Sequence, residues 1–441
     1  MSDISYWFDF IFIKMRVIFT VVLLLSSLFA SSQLNFVSID TVSSVCKVNL
    51  NLEYKKKFES INKSISSLSS AQKGITKEIY GEIQNNFLEK ISSNNFICDD
   101  KINPYLQGLM EEVLAKNSIS KEGYRMLLSR NSEINAYNTG DGTIVVNYGL
   151  FLATDTEDEL VFVISHEIGH QYLNHIKNDI EAFAKLTTSE EIVQKTKEIR
   201  RQKYGKATMA TDLLKNIVYQ NYDERRKNEI EADSVGFLLY KKTLRNPKAA
   251  ITLLEKFDNS DKEKDSLTLA DYKRIFERDG FVLKQKYFEE EQSLFKKYDK
   301  EKRINVDSLK THPDCITRVK LIKDHLDNKF TEQYSNSSSF SEIKKNSTYQ
   351  NLLNLFSSEK FGMSLYEALK LYKNDSENAI LKNIIYLNLT KIYASKANYT
   401  INRYVPAHDN LHNTASMNRF ISFLNNIKMT DMETIINNFK S

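Results

Sequence analysis

Apolar positions in this chain recur with two periods, and the change between them leads into the most informative stretch. Residues 101–116 carry Ile102, Leu106, Leu109, Met110, Val113 and Leu114 at three- and four-residue spacing, which predicts one packed helix. The period then shortens. Residues 124–128 and 134–137 read as extended, Asn138-Thr139-Gly140-Asp141-Gly142 as a turn, and the β-branched 143–147 as a strand. A small antiparallel sheet is expected there. Residues 160–164 (Leu-Val-Phe-Val-Ile) are apolar nearly all round, so the helix carrying them should be buried. Thr156 followed three residues later by Glu159 supplies its capping box.

Beyond that helix, the charged residues 177–227 read as helical hairpins. Asn228-Glu229-Ile230-Glu231-Ala232-Asp233-Ser234-Val235-Gly236 then begins another apolar helix that runs on through Phe237, Leu238 and Leu239. Residues 241–305 are charged and helical. Residues 331–348 are rich in Ser and Asn and read as a linker. The remainder is helical, with 365–372 and 379–393 able to pair as a hairpin of the tetratricopeptide type. The expected fold is α+β and predominantly helical. Its expected parts are a signal peptide or N-terminal anchor (1–32), a helical N-terminal region (33–99), a central domain (100–328), a linker (329–348) and a helical accessory region (349–441).

Composition changes this picture little. The chain has 441 residues and a net charge of +4 spread along its length, and nothing in it points to nucleic acid. The N-terminus says more. Lys14 and Arg16 precede an apolar run, 17–30, that ends in Ala30-Ser31-Ser32-Gln33, the arrangement of a secretory signal. The rival is an uncleaved anchor, because 6–13 is also apolar-rich and the two runs together could span a bilayer. In an oxidising compartment Cys46 and Cys98 could pair, leaving Cys315 odd; buried thiols are the alternative.

The chemistry lies in His166-Glu167-Ile168-Gly169-His170. Residues four apart share a helix face, so His166 and His170 can reach one metal ion. Glu167 is turned about a third of a turn away, where a carboxylate can serve a hydrolytic water. Catalytic zinc takes three protein ligands. His175 is a poor third. On a continuous helix it lies roughly 140° from His170 and roughly 180° from His166. Glu229 and Asp233 do better. They are four apart and share a face, so Glu229 can bind zinc while Asp233 accepts the N–H of a ligating histidine. By the same helical geometry Glu231 points away, and Ala232 permits close helix approach.

These elements resemble metallopeptidase family 48, the gluzincins that include the CAAX prenyl proteases, the HtpX proteases and the periplasmic barrel-assembly-enhancing proteases. H-E-I-G-H matches the family's metal helix, and E-I-E-A-D its E-x-x-A-D segment, whose first Glu is the third zinc ligand. Asn135-Ala136-Tyr137-Asn138 matches the edge strand before the metal helix, and His312 to Arg318 its later H-P-x-x-x-x-R segment. The resemblance implies a metallopeptidase fold holding one zinc ion per chain by His166, His170 and Glu229. It implies Glu167 as catalytic base and an Asn135, Ala136 and Tyr137 edge that holds an extended substrate. His312 and Arg318 suit the charge that develops on the scissile carbonyl. His312 can alternatively swing onto the metal's open position as a gate. Protein or peptide substrates are expected. Envelope or outer-membrane assembly proteins are candidate partners of the C-terminal helices. A reading from a different class is a chaperone-like or scaffolding envelope protein with a structural or gated zinc.

Overall fold

The computed structural model describes residues 36, 38–39, 43–65, 69–258, 266–278, 280–289, 315–326, 335–410 and 413–440. The chain divides into 1–38, where only Phe36 and Ser38 are described, and Ile39–Ser441, which holds everything below. The expected signal or anchor and His312 lie outside the described residues. Among the described residues no helix is long and apolar enough to cross a membrane.

The fold is predominantly helical with one small sheet. Helices α1 (Ser44–Ser64) and α2 (Ser70–Ser92) lead in. They are followed by β1 (Phe96–Ile97), α3 (Ile102–Lys116), β2 (Arg125–Ser129), β3 (Ala136–Asn138) and β4 (Thr143–Asn147). The expected antiparallel sheet is in fact mixed. Its order is β1-β2-β4-β3, and β4 runs parallel to β2 while pairing antiparallel with β3. The 139–142 turn makes a tight hairpin of β3 and β4, but the hairpin docks on β2 through its second strand. That leaves β3 at the edge of the sheet among the described residues.

Each face of the sheet has its own core. Met126, Leu128, Ile144 and Val146 face α3 and the central helix, α5 (Glu157–Tyr172), which follows the short α4 (Leu150–Ala153). Leu127 and Val145 face the other way, onto Tyr54, Phe58 and Phe87 of α1 and α2. This alternation is the two-residue period of a strand. A Cys46–Cys98 disulfide ties α1 to the segment beside β1.

After α5 come α6 (His175–Thr187), α7 (Glu190–Arg201) and the long α8 (Lys206–Lys241). They are followed by α9 (Lys248–Asp258), α10 (Leu269–Phe276) and α11 (Cys315–Lys323). The stretch read as a linker, 329–348, instead contains the start of α12 (Ser338–Ser357), capped by the Ser337 hydroxyl. Its Ser and Asn residues are mostly exposed positions of the helix and its cap, with Ser347 alone among the described ones buried. Further along α12, Gln350, Asn351 and Asn354 are inaccessible, with Gln350 Nε2 donating to Asn354 Oδ1 at 2.9 Å and Asn351 Nδ2 to the Ser347 carbonyl at 3.0 Å. Phe340 and Ile343 of α12 belong to the core around α5, while its Leu352 belongs to the next. That second core joins α13 (Phe361–Tyr372), α14 (Ala379–Ala397), α15 (Ala415–Asn426) and α16 (Met429–Phe439), with α13 packed on α14.

Candidate metal centre

Helix α5 starts where its sequence dictates. The Thr156 hydroxyl accepts from Glu159 N at 3.2 Å, and the Glu159 carboxylate accepts from Thr156 N at 3.4 Å. Three acidic residues occupy the first turn, where the helix dipole favours them. Lys256 of α9 neutralises Glu159 at 2.7 Å. The rest of the helix is buried almost to its end, including His166 and Glu167.

Helix α8 lies directly on it. A Cβ at Gly236 would stand 2.7 Å from His166 Cα, and one at Gly169 would stand 3.0 Å from the Ala232 carbonyl. The two glycines thus set the helix separation, and with it the position of Glu229 relative to the histidines. His166 Nε2 and His170 Nε2 are 3.1 Å apart. His166 Nε2 lies 3.5 Å from Glu229 Oε2, and His170 Nε2 lies 3.5 Å from Glu229 Oε1. The donor atoms of the three residues lie within 4.8 Å of one another, close enough to share one ion. Among the described residues this is the group of three His, Cys, Asp or Glu residues that could hold a metal.

The hydrogen bonds behind the two imidazoles fix which nitrogens face inward. His166 Nδ1 lies 2.9 Å from Asp233 Oδ1, so Nδ1 carries the hydrogen and Nε2 presents a lone pair. His170 Nδ1 lies 3.0 Å from His175 Nδ1, and His175 Nε2 lies 3.3 Å from Glu231 Oε2. One assignment satisfies this whole row: His175 donates to Glu231, and His170 Nδ1–H donates to His175. His170 Nε2 then also presents a lone pair. Two such lone pairs 3.1 Å apart repel unless a proton or a cation lies between them. The donor set of two imidazoles and one carboxylate therefore fits a zinc ion.

The protonation of the metal-free pair says the same. Burial disfavours a charge on His166, but Asp233 and Glu229 outweigh it and lift His166 to about 10. Burial and the neighbouring His166 push His170 down to about 3. The pair thus holds one positive charge. Burial would raise Asp233, yet Arg318 and His166 hold it below the usual carboxylate range.

Arg318 grips Asp233 through both arms, Nε to Oδ2 at 2.6 Å and Nη2 to Oδ1 at 2.8 Å, with both residues buried. An ionised carboxylate with no exposure needs such a partner, and α11 delivers it.

Asn135, Ala136 and Tyr137 lie at the start of the edge strand β3, beside α5. Asn138, at the strand's end, was not singled out from sequence. Its amide donates to the Glu167 carbonyl at 3.3 Å and to Gln171 Oε1 at 3.2 Å, and Gln171 Oε1 also accepts from Gly142 N at 3.0 Å. The edge strand is thereby held to the helical turn that carries Glu167. His175, a poor third ligand by helix geometry, is the second such residue. Its partner Glu231 is the acidic residue that its helix turns away from Glu229.

The model of peptidase family M48 matches residues 100–326. Similar proteins include the β-barrel assembly-enhancing protease of Escherichia coli (strain K12), 27% identical over 163 residues, which are 36% of this chain and 33% of that protein. A putative β-barrel assembly-enhancing protease of Vibrio cholerae serotype O1 is 28% identical over the same shares. The β-barrel assembly-enhancing protease of Yersinia pestis is 25% identical over 37% of this chain and 34% of its own. The chain thus spans about a third of the length of these relatives.

Proposed function

The chain belongs to peptidase family M48, and from that premise we propose that it is an exported, zinc-dependent metalloendopeptidase of cell-envelope protein quality control. The observation that carries this reading is the convergence of His166, His170 and Glu229 beside Glu167. In this reading those three residues hold one zinc ion per chain. Zinc, when bound, supplies a Lewis acid that polarises a peptide carbonyl and acidifies an attacking water. The Glu167 carboxylate takes the proton from that water and passes it to the leaving nitrogen. Asp233 and His175 hold the two imidazoles with their Nε2 lone pairs inward. For His312, which lies outside the described residues, the motif implies stabilisation of the charge that grows on the carbonyl oxygen, or a gate on the metal.

The free edge of β3 takes an extended peptide as an added strand through Asn135, Ala136 and Tyr137. Recognition through backbone groups leaves side chains largely unread, which suits the removal of misassembled proteins. The Cys46–Cys98 disulfide supports an oxidising, exported location. The relatives' names speak of β-barrel assembly, and we extend that setting to this chain, with α12–α16 as the surface for envelope partners. The test is cleavage of unfolded casein by the full chain, abolished by 1,10-phenanthroline and restored by one equivalent of zinc. Cleavage that survives complete zinc removal would sink the reading.

A further inference from the structure

The end of α7, the loop after it and the start of α8 carry Arg200, Arg201, Lys203, Tyr204 and Lys206 within seven residues. No Asp or Glu occurs from 199 to 211. In α7 Glu190 and Glu191 lie in the first turn, and Glu198 stands two residues before Arg200. Residues 200–209 are all exposed, and Tyr204 is 82% accessible. None of the four cations makes an ion pair or a hydrogen bond among the described residues, whereas Lys195, Arg226 and Lys227 on the same two helices are all paired. Helix α7 buries none of its residues and packs against α6 and α8. A hairpin tip with unpaired cations, a bare aromatic ring and a half-accessible Met209 contributes nothing to any core.

We propose that this tip docks on the surface of an anionic phospholipid bilayer. Four cations converge on lipid phosphates, and Tyr204 enters the headgroup layer, where amphipathic rings are favoured. An acidic protein partner would satisfy the cations but would leave the single exposed ring unexplained. The geometry adds a consequence. Helix α8 runs unbroken from Lys206 to Glu229, 23 residues further on. At 1.5 Å per residue it spans roughly 35 Å. Docking at the tip holds the metal centre at a set distance from the bilayer, independently of the peptidase reading and of the N-terminal apolar segment.

The full chain is sedimented with vesicles of phosphatidylcholine alone and of phosphatidylcholine with about a third phosphatidylglycerol. It is compared with the variant Arg200→Gln/Arg201→Gln/Lys203→Gln/Lys206→Gln, whose altered side chains are exposed and leave folding intact. The N-terminal segment is common to both, so only the difference between them is read. The parent is expected to bind phosphatidylglycerol vesicles at least tenfold more tightly than the variant, and to lose that advantage as salt rises. In a Trp7→Phe/Tyr204→Trp chain, the indole emission should shift to the blue on those vesicles. Equal binding by parent and variant, or an unshifted indole, overturns the proposal. So does a stronger, cation-dependent preference for soluble polyglutamate over the vesicles.

Discussion

His175 stands directly behind His170, with their Nδ1 atoms 3.0 Å apart, and is itself backed by Glu231 at 3.3 Å. Its place is opposite that of Asp233 behind His166, so each imidazole of the candidate centre is oriented by a residue outside the metal group. Replacing His175 by Ala removes the acceptor that keeps His170 Nε2 unprotonated and inward. Zinc affinity, measured by competition with a chelator, should fall about 10- to 100-fold. His175→Gln keeps an acceptor and should recover part of the loss. Unchanged affinity in His175→Ala would show the contact to be packing alone.

Arg318 and Asp233 form a fully buried, two-armed ion pair. Arg318→Met leaves the Asp233 charge without its guanidinium and should cost about 3–5 kcal/mol of stability in urea denaturation. An Arg318 that faced the scissile carbonyl would give the reverse outcome, with lost turnover and unaltered stability.

The helix crossing at Gly236 is tight enough to test by one methyl group. Gly236→Ala places a carbon 2.7 Å from His166 Cα, against backbone that cannot turn aside. A lower melting temperature and weaker zinc binding are expected together, because the same shift moves Glu229 from the histidines. Gly74→Ala is the control. Gly74 is an exposed position of α2 with nothing within 4 Å, and its replacement should stabilise by about 1 kcal/mol through helix propensity.

Zinc uptake should release a proton. In the metal-free protein His166 is lifted to about 10, so it is protonated at neutral pH. A ligating imidazole must be neutral, so the ion displaces that proton. Apparent affinity should therefore rise with pH, about tenfold per unit between pH 6 and 8 for one proton. Calorimetry in buffers of different ionisation enthalpy should return one proton per zinc at pH 7, and a value of zero would contradict the assignment.

Much of the centre was legible because it depends on local periodicity. The four-residue spacings of His166 with His170 and Glu229 with Asp233 are facts of helix geometry. The first helix formed where its pattern placed it, whereas the second, expected to begin at Asn228, already runs from Lys206. His175 was not legible for the complementary reason. The helix ends at Tyr172, and Asn174 adopts a left-handed φ of 55° without glycine or proline to announce it. Angles computed on a continuous helix therefore pointed His175 away. The sheet order was hidden too, since nothing in β2 or β4 says that they pair in parallel across the β3 hairpin. The start of α12 looks like linker composition because its first turns carry exposed serines, Ser338, Ser339 and Ser341. Arg318 was placed near the centre by its motif, but only the three-dimensional arrangement shows that Asp233 holds it.

The most direct measurement takes zinc content and casein cleavage from the same preparations of the parent chain and of Glu167→Gln. Glu167 is no member of the metal group, so both proteins should hold one zinc per chain while the variant's cleavage falls by several orders of magnitude. Zinc bound to both with equal cleavage would contradict Glu167 as the base, and zinc bound to neither would contradict the centre itself.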